Sequence, residues 1–342
     1  MNILVTGGNG FIATNFTKLA LEQGHFVVSL DNLSYASSED NHNLFKDNKS
    51  YSFIHEDIRS KSIFSILESG NFDSIINFAA ESHVDRSIKD DSIFISTNVN
   101  GTHNLLQACK KLIEKRLVKD TFRFIQISTD EVYGSLSSNE KPFTEVSPLK
   151  PSNPYSASKA AADLICLSYY RTYKFPVLIT RCSNNYGPYQ HPEKLIPLSI
   201  SKIKNDLKIP LYGNGQQIRD WIYVDDHCHG ILAVLERGTL GEVYNFGGSS
   251  ELTNIDCAKK LIKQLKPDKK EESYIEFIKD RPGHDTRYAI DATKAFQQLN
   301  WAALNTYSQG IAKTIKWYNN NESWLNEITN NQEYKNWVKK NY

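Results

Sequence analysis

Ile3-Leu4-Val5-Thr6-Gly7-Gly8-Asn9-Gly10-Phe11-Ile12-Ala13 decides how this chain folds. A short apolar strand runs straight into glycines, and a helix opening near Phe11 turns Phe16, Leu19 and Ala20 to one side. Strand, glycine turn and helix together form the context in which a dinucleotide fingerprint has a mechanism. Gly7 permits the tight turn. Gly10 lets the backbone approach a pyrophosphate, which the helix N-terminus at Phe11 and Ile12 receives. Ala13 stands where a third glycine would allow close helix–strand packing, a place alanine also fills. A second strand, 26–30, ends in Asp31, about twenty residues beyond the glycines. An acid there accepts hydrogen bonds from a ribose and repels a 2′-phosphate, which predicts NAD over NADP.

The alternation continues outward. Strands are expected at 51–55, 74–78, 122–128 and 176–181, with helices over 60–67 and 98–113 and one starting at Tyr155. Asp57 and Ile58 follow the third strand, where an acid faces an adenine or caps a helix. Ala79-Ala80-Glu81-Ser82 closes the fourth, small residues that suit a flat cofactor or plain close packing. Such alternation predicts an α/β fold of Rossmann type, a doubly wound parallel sheet with its ligand crevice beyond the strands' carboxyl ends. Gly7, Asp31, Ala80 and Thr129 all fall there. The last third reads as a smaller α/β lobe, with helices near 226–236, 255–265 and 311–318 and a polar tail carrying Trp324 and Trp337 on the outside.

Chemistry concentrates in Ser128-Thr129-Asp130-Glu131-Val132-Tyr133-Gly134 and in Tyr155 and Lys159. Adjacent acids are often only a loop tip, but a pair whose surroundings separate their pKa values supplies an acid and a base. Tyr155 and Lys159 are four residues apart and share a helix face, so the ammonium favours phenolate and makes Tyr155 a base for an alcohol. The run 182–188 suits ligand contact or a simple crossing. Arg219 and Arg281, in glycine-rich loops, can clamp a diphosphate. His227-Cys228-His229 is not expected to bind metal, because consecutive helical residues point about 100° apart.

With 40 basic and 39 acidic residues, the 342-residue chain has no overall charge to attract nucleic acid or a membrane surface. Five cysteines without a C-x-x-C pair fit a reducing cytoplasm. The first residues read as strand, not as a leader, and no stretch is long and apolar enough to span a bilayer.

Thr129-Asp130-Glu131 with Tyr155-x-x-x-Lys159 resembles the dTDP-glucose 4,6-dehydratases of the extended short-chain dehydrogenase/reductase group. The likeness extends through 6–12, 31–36, 79–87, 181–190, 219–221 and 281–285. It implies that Tyr155 takes the proton of the sugar 4-hydroxyl as hydride leaves carbon 4 for NAD, with Lys159 holding phenolate and ribose. Glu131 would remove the carbon 5 proton, Asp130 would protonate the departing 6-hydroxyl, and Thr129 would bond the 4-oxygen. Hydride then returns to carbon 6. By the same resemblance Asn32, Leu33, Ser34, Ala79, Thr97 and Asn185 join the cofactor site. Ser82 would contact the sugar, while Asn184, Lys194, Leu195, Pro210, Leu211, Tyr212, Arg219, Asn254, Asp280, Arg281 and His284 would hold the nucleotide. A homodimer through helices 98–113 and 155–172 is implied. So is a division into an NAD-binding part (1–182 and 221–247) and a nucleotide-sugar lobe (183–220 and 248–342). Ala13 and Ser34 depart from the family pattern, and 247–254 matches loosely, leaving UDP- and CDP-glucose as alternatives to dTDP-glucose. A 4-epimerase is a further alternative that Asp130-Glu131 disfavours, and a non-catalytic NAD-sensing protein another that the intact Tyr155 and Lys159 disfavour.

Overall fold

A computed structural model describes residues 1–341. Six strands in chain order, β1 (Asn2–Thr6), β2 (Phe26–Asp31), β3 (Tyr51–His55), β4 (Ser74–Asn77), β5 (Arg123–Thr129) and β6 (Val177–Cys182), build most of one sheet. β7 (Asn184–Tyr186), β8 (Ile209–Tyr212) and β9 (Ile218–Tyr223) leave it, and β10 (Val243–Phe246) returns as its last strand. β11 (Glu251–Thr253) and β12 (Ile275–Ile278) complete the set among the described residues.

The large sheet has seven strands in the order β3-β2-β1-β4-β5-β6-β10, every pair parallel. The α/β doubly wound expectation therefore holds. Its strands are apolar on both faces because helices cover both. On one side lie Phe11–Glu22, Val224–Arg237 and Thr293–Leu299, and on the other Ile63–Gly70, Thr102–Glu114 and Pro154–Tyr173. Ile3 and Val5 face the first layer and Leu4 the second, the period-two alternation of a strand. Burying each such side chain stabilises the fold by ~1.5–3 kcal/mol.

The chain reverses between β1 and β4, so the carboxyl ends around that point diverge into a crevice. Side-chain hydrogen bonds lock the strands there. Thr6 Oγ1 donates to Asn77 Oδ1 (2.6 Å), and Asn77 Nδ2 donates to Gln126 Oε1 (2.8 Å). Opposite the crevice stand a three-stranded sheet (β11-β9-β7) and a two-stranded one (β12-β8), packed with helices Leu195–Lys204, Asn254–Leu265 and Tyr307–Asn320 around a separate core.

Two details differ from the sequence reading. Residues Ile95–Gly101 form a π-helix that passes into helix Thr102–Glu114, where a single helix from residue 98 was expected. The tail is also less peripheral than expected. Trp324 is buried in the lobe's core, and its indole N–H bonds Asn41 Oδ1 at 3.1 Å, because a residue near the amino end supplies the acceptor. No described helix is long and apolar enough to cross a membrane.

Candidate active site

At the end of β1 only glycine fits. Gly7 has φ +65°, and a Cβ there would lie 2.7 Å from the Ala79 backbone. Beside this contact opens a cleft of about 290 Å³. Gly7, Gly10, Phe11, Ile12, Asp31, Asn32, Ser34, Asp57, Ile58, Ala79, Ala80, Thr97, Tyr155, Lys159 and Asn185 line it. Of the expected cofactor residues only Leu33 is missing. It takes the left-handed backbone conformation (φ 54°) and gives its amide to Asp31 Oδ1 at 2.7 Å. Asp31 Oδ2 accepts the Asn9 amide at 3.0 Å. Burial raises the Asp31 pKa, and these backbone donors act against it. Asp57 caps no helix, since Ser62 precedes the next one; it closes a turn onto the Arg59 amide (2.8 Å). Hydrogen bonds from Arg59 hold its carboxyl down to about 2.

A second cleft of about 180 Å³ adjoins the first. Ser82, Asn184, Lys194, Leu195, Pro210, Leu211, Tyr212, Arg219, Asn254, Arg281 and His284 line it, but Asp280 does not. The Asp280 carboxylate is turned to His284 Nδ1 (2.6 Å) and Gln217 Nε2 (3.2 Å). Ser82, Glu131, Asn184, Asn185, Gln190, Glu193 and Lys194 belong to both clefts, so the two meet beside Glu131.

The acid pair is positioned by backbone geometry. β5 ends at Thr129, whose hydroxyl accepts the Glu131 amide (3.3 Å) and caps the 3₁₀ turn Asp130–Tyr133. Gly134 closes the turn at φ +88°, where a Cβ would strike the Lys150 carbonyl. Both acids are raised chiefly by burial, but their neighbours differ. Glu131 and Asp220 push the buried Asp130 further up, with Arg219 opposing, so its pKa rises well above the usual range. Glu131 is pulled back down by Arg281, Arg219 and Lys194. Both carboxyls are raised, but added negative charge acts on Asp130 and opposing positive charge on Glu131, a difference that favours the proton on Asp130. Asp130 Oδ2 and Glu131 Oε2 are buried with no hydrogen-bond partner, and so is Asn184 Oδ1. Polar atoms left open in this way suit a group supplied from outside the chain. With the Gly7 turn and buried Asp31, they fit a dinucleotide beside a polar substrate.

Tyr155 and Lys159 reach the same cleft from helix Pro154–Tyr173. The Lys159 ammonium donates to the Ile127 carbonyl at 2.6 Å. Burial, with the Glu131 charge added to it, drives the Tyr155 phenol well above its ordinary pKa, and a hydrogen bond with Thr129 opposes the rise. The Lys159 ammonium is itself lowered by burial, with Asp163 opposing.

Several residues at the site were missed by the sequence reading. Asn98, on the π-helix, accepts the Glu81 amide (2.8 Å) and donates to the Glu81 carbonyl (3.0 Å) and Ser158 Oγ (2.8 Å). Asp85 binds Arg281 (2.9 Å) and the Tyr212 hydroxyl (2.8 Å), tying one side of the crevice to the other. The run 81–87 carried a signal, but only Ser82 within it was assigned. His227, set aside as a metal ligand, places Nδ1 3.0 Å from Asn185 Oδ1. Burial holds its pKa down to about 3, so the neutral ring donates and orients the Asn185 amide.

Residues 4–314 match the family model described as GDP-mannose 4,6 dehydratase. A dTDP-glucose 4,6-dehydratase of Xanthomonas campestris pv. campestris (strain B100) is 47% identical over 338 residues, covering 95% of each chain. Among solved structures, a dTDP-glucose 4,6-dehydratase from Streptomyces venezuelae with NAD and dTDP bound superposes with a TM-score of 0.89. It is 42% identical over 96% of this chain and 100% of its own. A Bacillus anthracis dTDP-glucose 4,6-dehydratase in complex with NAD gives a TM-score of 0.86 at 43% identity, covering 96% of this chain and 99% of its own.

Proposed function

From the premise that this chain belongs to the dTDP-glucose 4,6-dehydratase family, we propose how it acts. It is a hydro-lyase that uses NAD to convert dTDP-glucose into dTDP-4-keto-6-deoxyglucose with loss of water. Gly7, Gly10, Asp31 and the neighbouring cleft residues would hold the NAD, which when bound would supply a hydride acceptor for carbon 4 and a hydride donor for carbon 6. Tyr155 receives the proton of the 4-hydroxyl, and Thr129 orients that oxygen. Lys159 supplies positive charge beside them. Glu131 removes the carbon 5 proton, made acidic by the new ketone, and later restores one. Asp130 gives its proton to the departing 6-hydroxyl. Arg219, Arg281, Lys194 and Asn254 hold the nucleotide diphosphate in the second cleft.

The observation that carries this reading is the opposed surroundings of Asp130 and Glu131 at the junction of the two clefts. Water elimination needs a neutral acid beside an ionised base, whereas epimerisation needs neither. Incubation with dTDP-glucose, UDP-glucose and CDP-glucose, with and without added NAD, tests it. A 4-keto-6-deoxy sugar from the dTDP substrate is expected, and an epimer would refute the assignment. Glu131→Gln should slow water loss by at least ~100-fold while still oxidising the sugar, seen as the absorbance of reduced cofactor. Dehydration at the wild-type rate in that variant would remove Glu131 from its role.

The chain works as a homodimer in this reading, through the outer faces of helices Thr102–Glu114 and Pro154–Tyr173, where Leu164 and Tyr173 are exposed. Its five cysteines are buried free thiols, which supports a reducing cytoplasm. We assign NAD to the part formed by 1–182 and 221–247 and the nucleotide sugar to the remainder.

A further inference from the structure

We propose that helix Gln332–Asn341 is a strap that sets substrate affinity from outside the crevice by holding Arg86 against Glu193. The inference rests on the reading of the second cleft as the nucleotide-sugar site. On this helix Tyr334, Trp337 and Val338 are half-buried, while Glu333, Lys335 and Asn336 are exposed. Spacings of three and four put the half-buried side chains on one face. That face covers residues from two separate segments beside the clefts. The Tyr334 hydroxyl donates to the Pro192 carbonyl at 3.2 Å, and the Trp337 ring meets His83 edge-on at 5.0 Å.

Arg86 lies between the strap and the cofactor loop. Its guanidinium is 3.5 Å above the Tyr35 ring and 5.7 Å from the Trp337 ring, an aromatic sandwich around a cation. Glu333 on the strap approaches it at 3.6 Å, and Glu193 at 3.5 Å. The Glu193 carboxylate is almost wholly buried and also accepts the Tyr35 hydroxyl at 3.3 Å. Lys194 and Arg86 are the two cations that offset the burial of Glu193, and a buried carboxylate that loses one of them is destabilised, so Arg86 helps fix where Glu193 sits. The next residue is Lys194, which lines both clefts and reaches back to the Ser82 carbonyl at 2.9 Å. Trp337 and Arg86 are therefore positioning residues. Neither lines either cleft, and both act through the segment that carries Glu193 and Lys194.

The test measures dTDP affinity by calorimetry and steady-state kinetics with dTDP-glucose on Trp337→Ala, Trp337→Phe, Arg86→Lys and a chain ending at Asn331. Trp337→Ala and the shortened chain should weaken dTDP binding and raise KM by about tenfold, with kcat within about twofold of wild type. Trp337→Phe, which keeps a ring over Arg86, should recover most of the affinity. Arg86→Lys keeps the helix and the charge but loses planar stacking, and should raise KM similarly. It reads the same connection if the shortened chain does not fold. Unchanged dTDP affinity in Trp337→Ala and Arg86→Lys overturns the strap, as does a fall in kcat at constant KM. Because dTDP binding needs no turnover, a wild-type protein that binds dTDP but makes no keto sugar overturns the functional reading alone.

Discussion

Asp130 and Glu131 are neighbours in sequence and opposites in surroundings. Their adjacency could be read from the chain, and so could their place at the end of an apolar strand. The charges that bias the proton between them could not, because Arg219, Arg281 and Lys194 come from distant segments to face Glu131. The same separation governs Tyr155. The four-residue spacing to Lys159 was legible, but the burial that dominates the phenol's pKa is a tertiary property. A residue-scale prediction follows from Asp130. Its folded pKa is raised above the unfolded value of about 3.9, so its contribution to stability is full below that value and lost as pH rises through the folded pKa. Asp130→Asn cannot ionise and escapes the loss. Its melting temperature relative to wild type should rise with pH, while dehydration falls by about 10²–10⁴-fold. A pH-independent difference in calorimetric melting would place the cost elsewhere.

Helix Pro154–Tyr173 shows how an element delivers chemistry. Asn153 Oδ1 accepts the Ser156 amide (2.9 Å), Ser156 Oγ stands 3.3 Å from the Asn153 amide, and Pro154 occupies the first helical position. This box fixes the first turn, and Tyr155 lies in it. Asn153→Ala should cost about 1 kcal/mol of stability. It should lower kcat more than it raises KM, since the phenol is misplaced and the nucleotide cleft untouched. Urea unfolding and steady-state kinetics check both parts. The start of this helix was legible from Pro154 and Tyr155. The π-helix at Ile95–Gly101 was not, because its single wide turn leaves no hydrophobic period over so short a run. Asn98 went unnoticed for that reason, although it pins Glu81 to Ser158.

At the scale of the whole molecule, helices Thr102–Glu114 and Pro154–Tyr173 bury one face on the sheet and present the other outward. Leu164 is 56% exposed there. If that face joins two copies, Leu164→Glu places a charge in an apolar contact and should give a monomer at micromolar concentration in size-exclusion chromatography with light scattering. An unchanged mass, in either direction, would move the interface off these helices. The alternation of strands and helices, the glycine turn at Gly7, the acid at Asp31 and the Thr129-Asp130-Glu131 run were all determined by the sequence itself. Each depends on residues close together in the chain, where periodicity and backbone sterics act. The meeting of two clefts at Glu131, the different charges facing the acid pair, the Asp85–Arg281 tie and the burial of Trp324 were decided only by tertiary structure. Charge and desolvation act through space, and the groups responsible lie up to hundreds of residues apart along the chain.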